Sequence, residues 1–214
     1  AKVTKTTPIV AIDMETDPVQ TGLISSFAKP GGNVTGLFLD LPGLATKWIE
    51  LMREMVPSLE RVAYLWQPST GRSQLDAALG VAKNLKIDAT VLEFDVSHNF
   101  RALLSSLVGP KRTGVIPLTF PGISTFSEKL AAAAIQFRLP TMTFLRSAAR
   151  TGILMSYGPS QESYFPRAVQ LADRILRGDN VSEVPVEGPS KFEFVVNLKT
   201  ARALNLFVPP SLLV

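Results

Sequence analysis

Short apolar runs rich in β-branched residues alternate along this chain with stretches whose apolar residues recur at helical spacing. The runs cover residues 8–13, 33–39, 61–66, 89–95, 113–118, 140–145 and 153–157. Most are continuously apolar rather than alternating, the pattern of strands covered on both faces. Between them, Leu44, Trp48, Leu51, Met52 and Met55 fall on one helical face. Leu75, Ala78, Leu79, Ala82 and Leu85 do the same, as do Phe165, Val169, Ala172 and Leu176. Helix and strand alternate four times across residues 61–157, at lengths suited to right-handed βαβ crossovers. The pattern predicts an α/β fold with a mainly parallel sheet.

Punctuation agrees with this division. Lys29-Pro30-Gly31-Gly32-Asn33 closes one helix and turns into the next strand, because Gly tolerates positive φ and Pro stops a helix. Gly178-Asp179-Asn180 ends the helix that begins near Gln161, and Pro209-Pro210 marks the expected end of ordered packing. The first strand is preceded only by a polar stub. Residues 61–157 make a full α/β lobe, whereas two strands at the front and a helical tail do not. Strands of the first lobe are therefore expected to be absent from this sequence.

Composition removes several chemistries. The 214 residues are 46% hydrophobic and only 19% charged, ample for a packed core. A formal net charge of +4 with scattered Lys and Arg gives no phosphate-tracking stripe, so nucleic acid is not an expected partner. Cysteine is absent and His98 is the one histidine; no thiolate nucleophile or Cys- or His-rich metal site is expected. His98 reads as part of a solvated helix entry. No segment reaches the roughly 20 apolar residues of a membrane span.

Four strings carry a specific resemblance: TDPVQTGLISSFAKPGGNVTGL (residues 16–37), ELMREMVPSLERVAYLWQPS (50–69), GILMSYGPS (152–160) and KFEFVVNLKTARALNLFVPPSLL (191–213). In this order the chain resembles the ABC-transporter substrate-binding family that includes the tryptophan- and tyrosine-binding proteins. The resemblance implies a type I periplasmic-binding-protein-like α/β fold with two flavodoxin-like parallel-sheet lobes, the first incomplete here. Residues 1–40 and 158–214 would form lobe one, 41–59 a hinge-crossing helix and 60–157 lobe two. It implies a receptor without catalytic chemistry, cofactor or metal. Such a receptor binds a small amino acid or aromatic acid between its lobes and delivers it to an ABC permease. It would be periplasmic or lipid-anchored outside the cytoplasm, with its signal sequence upstream. An incomplete lobe would leave a sheet edge exposed and favour self-association.

Independently of family, open parallel sheets bind ligands beyond the carboxyl ends of their strands. That rule selects Met14, Glu15 and Asp17 after the first strand, then Gln67, Ser69 and Thr70, Thr119 and Phe120, Phe144, and Ser156 with Tyr157. Rings beside fixed polar groups suit a small amphiphilic ligand. Each residue also has a structural role open to it. Asp17 either accepts from a ligand ammonium or caps a helix that starts at Pro18. Ser69 and Thr70 either donate to a ligand carboxylate or cap the helix around Ser73. Phe120 and Phe144 either sandwich a ring or fill the core, and Tyr157 is similar. Two alternatives stand beside the receptor. The strand end Asp13-Met14-Glu15-Thr16 is half of a haloacid-dehalogenase-type phosphatase motif, with Asp13 as nucleophile, Glu15 in place of the second Asp and Mg²⁺ required. A ligand-sensing regulatory module uses the same fold.

Overall fold

The computed structural model describes residues 4–13, 17–39, 41–95, 99–119 and 122–213. Its elements run β1 (Ile9–Asp13), β2 (Val34–Phe38), α1 (Ala45–Met55), β3 (Arg61–Trp66), α2 (Ser73–Asn84), β4 (Asp88–Glu93) and α3 (Phe100–Ser105). They continue with β5 (Thr113–Pro117), α4 (Ile123–Gln136), β6 (Met142–Thr143), α5 (Arg146–Arg150), β7 (Met155–Pro159), α6 (Gln161–Leu176), β8 (Phe192–Val196) and α7 (Leu198–Ala203). The chain forms two compact units, 1–41 with 159–192 and 42–158 with 193–214.

In the first unit β1 and β2 pair in parallel from Ile9 opposite Val34 to Asp13 opposite Phe38. Gly36 is required there. Its φ is +142°, and a Cβ would lie 1.9 Å from the Ala11 carbonyl oxygen. The outer edge of β2 is covered by a later segment: Glu187 N donates to Gly36 O at 3.0 Å and Phe38 N donates to Glu187 O at 3.0 Å. Thr35, buried, donates its hydroxyl to Val184 O at 2.7 Å. Helix α6 packs against both strands, and Arg167 grips the Glu187 carboxylate through two bonds of 2.8 and 2.7 Å.

The face of α6 differs from the expected one. Tyr164 and Leu171 are buried, whereas Phe165, Val169 and Leu176 are 50%, 68% and 87% exposed. The helix is amphipathic, and its apolar side is wider than the part that meets the two strands, so periodicity alone does not select which part is covered.

The second unit is built on a parallel sheet in the order β4-β3-β5. A bridge between Val115 and Thr141 carries it to β6, and β7 and β8 follow. All five residues of β5 are buried, as the continuous apolar run implies. Leu44, Trp48, Leu51, Met52 and Met55 are buried as expected, and Ile49 of α1 is buried with them. Strand β6 is shorter than its apolar run, and β8 is a strand that the sequence pattern did not isolate. Residues 193–214, grouped with lobe one from the sequence, pack with this unit. Asn197 Nδ2 donates to Ala149 O at 2.6 Å and the Thr200 hydroxyl to Gly152 O at 2.9 Å. Packing also continues past Pro209-Pro210, where Leu212 is buried and Ser211 Oγ meets Glu54 Oε1 at 2.5 Å.

Candidate functional site

Several polar side chains of the second unit lie at or just beyond the carboxyl ends of β3, β5 and β6 and within β7. After β3 the chain turns through residues 67–72 in a fixed conformation. Trp66 Nε1 donates to Gly71 O at 2.8 Å, and the Thr70 hydroxyl donates to Gln67 O at 2.8 Å. The Arg72 guanidinium stacks 5.4 Å from the centre of the Trp66 ring. Thr70 thus closes its own 3-10 turn rather than capping α2, whose first residue has no side-chain cap. Ser69 is exposed on that turn.

Thr119, beyond β5, is buried and paired reciprocally with Gln74 in the first turn of α2. Its N–H donates to Gln74 Oε1 at 2.7 Å, and Gln74 Nε2 donates to the Thr119 hydroxyl at 3.2 Å. This pair fixes the start of α2 against the end of β5. Phe144, beyond β6, is 6% exposed and takes its core role. Gly158 approaches it so closely that a Cβ would lie 2.4 Å from Phe144 O. Tyr157 is half-buried, and its carbonyl accepts from Trp48 Nε1 at 2.7 Å.

Within this edge, Thr143 and Ser156 stand opposite one another in the β6–β7 register. Both are buried, and neither hydroxyl has a hydrogen-bond partner among the described residues; the same holds for Gln67 Oε1. A buried hydroxyl left unpaired costs about 1–3 kcal/mol, so the Thr143 and Ser156 hydroxyls on neighbouring strands, with the Gln67 amide oxygen beyond β3, mark polar capacity that no described residue uses. Thr143 and Gln74 were not singled out from the sequence. Thr143 sits inside an apolar run, and Gln74 lies at a helical position that reads as solvent-facing. Extending the strand-end rule to the last strand residue and to the first turn of the following helix would have found both.

In the first unit, Asp17 caps a turn rather than the helix expected from Pro18. Its Oδ1 accepts from Val19 N at 2.8 Å and from Gln20 N at 3.2 Å, the capping role open to it from the sequence. Met14, Glu15 and Phe120 lie outside the described residues, as does His98. Among the described residues no three His, Asp or Glu side chains gather as a metal cage.

A family model described as ABC transporter substrate binding protein matches residues 1–214. A tyrosine-binding protein of Clostridioides difficile (strain R20291) is 27% identical over 207 residues. That alignment covers 95% of this chain and 58% of the relative, so the chain spans well under two thirds of that protein's length. Among solved structures, an ABC domain in complex with L-Trp from Streptococcus pneumonia superposes with a TM-score of 0.84 at 20% identity, covering 99% of this chain and 71% of that one. A conserved domain protein from Vibrio cholerae gives 0.86 at 22% identity, with the same coverages. At these identities the structures show the fold: the α/β, parallel-sheet architecture of type I periplasmic binding proteins.

Proposed function

The chain belongs to the ABC transporter substrate-binding protein family, and from that premise we propose that it is the solute receptor of an importer. It binds a small amino acid or aromatic acid and hands it to a membrane permease. The match of the family model over residues 1–214 carries this reading. The family is one of substrate-binding proteins rather than enzymes, and no catalytic step is assigned to any residue here. The tyrosine-binding relative and the L-Trp-bound neighbour support an aromatic amino acid as the ligand class.

In this proposal the strand ends of the second unit form one wall of the binding pocket. Thr143, Ser156 and Gln67 offer neutral polar groups to the ligand's charged end, and Tyr157 lies beside them. Ser69 and Thr70 border that wall. Met14, Glu15, Asp17 and Phe120 complete the ligand set proposed from the sequence, whereas Phe144 serves the core. The receptor works outside the cytoplasm, in the periplasm or on a lipid anchor; no helix among the described residues is long and apolar enough to cross a membrane. Self-association through the first unit belongs to the same proposal. The exposed Phe165, Val169 and Leu176 favour it, and sedimentation at rising concentration tests it.

Thermal-shift screening with the common amino acids and aromatic acids tests the receptor directly. A ligand at 100 times its dissociation constant stabilises the folded state by about 2.7 kcal/mol. Mg²⁺-dependent phosphatase activity that vanishes in Asp13→Asn would replace the receptor with the hydrolase alternative.

A further inference from the structure

A pocket of about 240 Å³ opens at the amino ends of β5 and β6, away from the strand ends proposed for the transported solute. That volume is just below the roughly 300–1,000 Å³ of drug-sized sites and admits one ring with a short arm. Its floor includes Val56, Leu107 and Leu139, all buried, beside the half-buried Phe137. Its rim carries Lys111, Arg112 and Arg138, and no acidic side chain lines it.

The positive groups at this rim are unequally engaged. Lys111 is ion-paired with Asp88. Neither the Arg112 nor the Arg138 guanidinium has a partner among the described residues. Arg138 follows the C-terminus of α4 with φ +55°, a place where a cation often serves the last carbonyls. Here those carbonyls are already taken: Phe137 N donates to Ala133 O, Arg138 N to Ile135 O and Leu139 N to Ala134 O. The guanidinium is therefore free of that task.

The pocket walls are also held in place before any ligand arrives. Arg112 O accepts from Glu60 N at 3.0 Å and Arg61 N at 3.1 Å, and Arg112 N donates to Glu60 Oε2 at 3.0 Å. Arg61 Nη2 donates to Leu107 O at 2.8 Å, fixing the floor. A fixed apolar hollow under two unpaired guanidiniums is preorganised for an amphiphilic anion, because guanidinium forks pair with carboxylates and the ring is desolvated below them.

We propose that this pocket is a second binding site, for a small carboxylate on a short aromatic or aliphatic body. Arg112 and Arg138 hold the carboxylate, and Phe137 and Leu139 cover the apolar part. The site is independent of the receptor reading and of the transported solute.

Phenylacetate is the probe, with acetate and benzyl alcohol reporting charge and ring alone. Titration of the whole chain, followed by calorimetry and by the methyl signals of Leu107 and Leu139, is expected to show saturable phenylacetate binding. Those methyl signals should shift in step with it. In the Arg112→Gln/Arg138→Gln double variant affinity should fall at least about tenfold, the scale of a lost charge-assisted bond, and the two partial probes should bind at least that much more weakly. Both substitutions are at exposed positions, so folding is expected to persist, checked by an unchanged melting temperature. Absence of saturable binding, undiminished affinity in the double variant, or shifts confined to strand-end methyls such as those of Leu118 and Leu145 would each overturn the proposal.

Discussion

The indole of Trp48, fully buried in α1, donates from Nε1 to the backbone carbonyl of Tyr157 at 2.7 Å. The bond ties the helix that opens the second unit to the middle of β7, between Ser156 and Gly158. It satisfies a strand carbonyl next to Ser156, where the ligand is proposed to bind, and so holds β7 in place.

Trp48→Phe keeps an aromatic ring but removes the donor and leaves a void. The loss is expected to be about 2–4 kcal/mol, combining an unpaired buried carbonyl with a cavity. Urea unfolding followed by circular dichroism checks it, and a loss under about 1 kcal/mol would show that the bond contributes little.

Gly36→Ala places a methyl group where the Ala11 carbonyl oxygen already stands. Strands β1 and β2 must separate to admit it, so the first unit should lose more than about 3 kcal/mol. Hydrogen exchange resolves this by unit: the amides of Ile9 and Ala11, which face β2, should lose protection while those of Val62 and Ile116 keep it.

The Glu187 carboxyl is held below its ordinary value by its hydrogen bonds from Arg167, which outweigh the opposing effect of burial, with smaller help from the Arg167 and Arg174 charges. A depressed carboxyl contributes stability that is present above the unfolded-state value and lost as pH falls through the lower folded value. First-unit stability should therefore decline as the medium is acidified below the ordinary glutamate range, and Glu187→Gln should flatten that part of the profile. Both side chains are partly exposed, so salt should weaken the effect.

Thr143→Val removes a buried hydroxyl that has no partner among the described residues. Without ligand the variant is expected to match or exceed the parent in stability, by up to about 1 kcal/mol. If the hydroxyl contacts the solute, affinity should fall by about tenfold in the same variant. Equal affinity in parent and variant would remove Thr143 from the pocket.

The alternation of strand and helix was legible because parallel strands covered on both faces leave continuous apolar runs, as in β3 and β5. Strand β8 was not, since Phe192–Val196 is half-exposed and merges with the apolar residues that continue into α7. The face of α6 was misjudged because Phe165 and Tyr164 are both apolar neighbours and only packing separates them. At the site, the strand-end rule reached Gln67, Thr119 and Tyr157 directly. It could not reveal that Thr119 pairs with Gln74, because that bond joins residues 45 positions apart. Nor could it separate Phe144 as core from Phe144 as ligand contact, a distinction that depends on how closely Gly158 approaches.

Calorimetric titration with L-tyrosine and L-tryptophan tests the receptor most directly, run in parallel on the parent chain and on Ser156→Ala. A receptor of this family with its ligand at the strand ends should give one saturable site for at least one of the two, weakened in the variant. Heats that show no saturation with either amino acid or with any aromatic acid, in a chain that melts cooperatively, would contradict it.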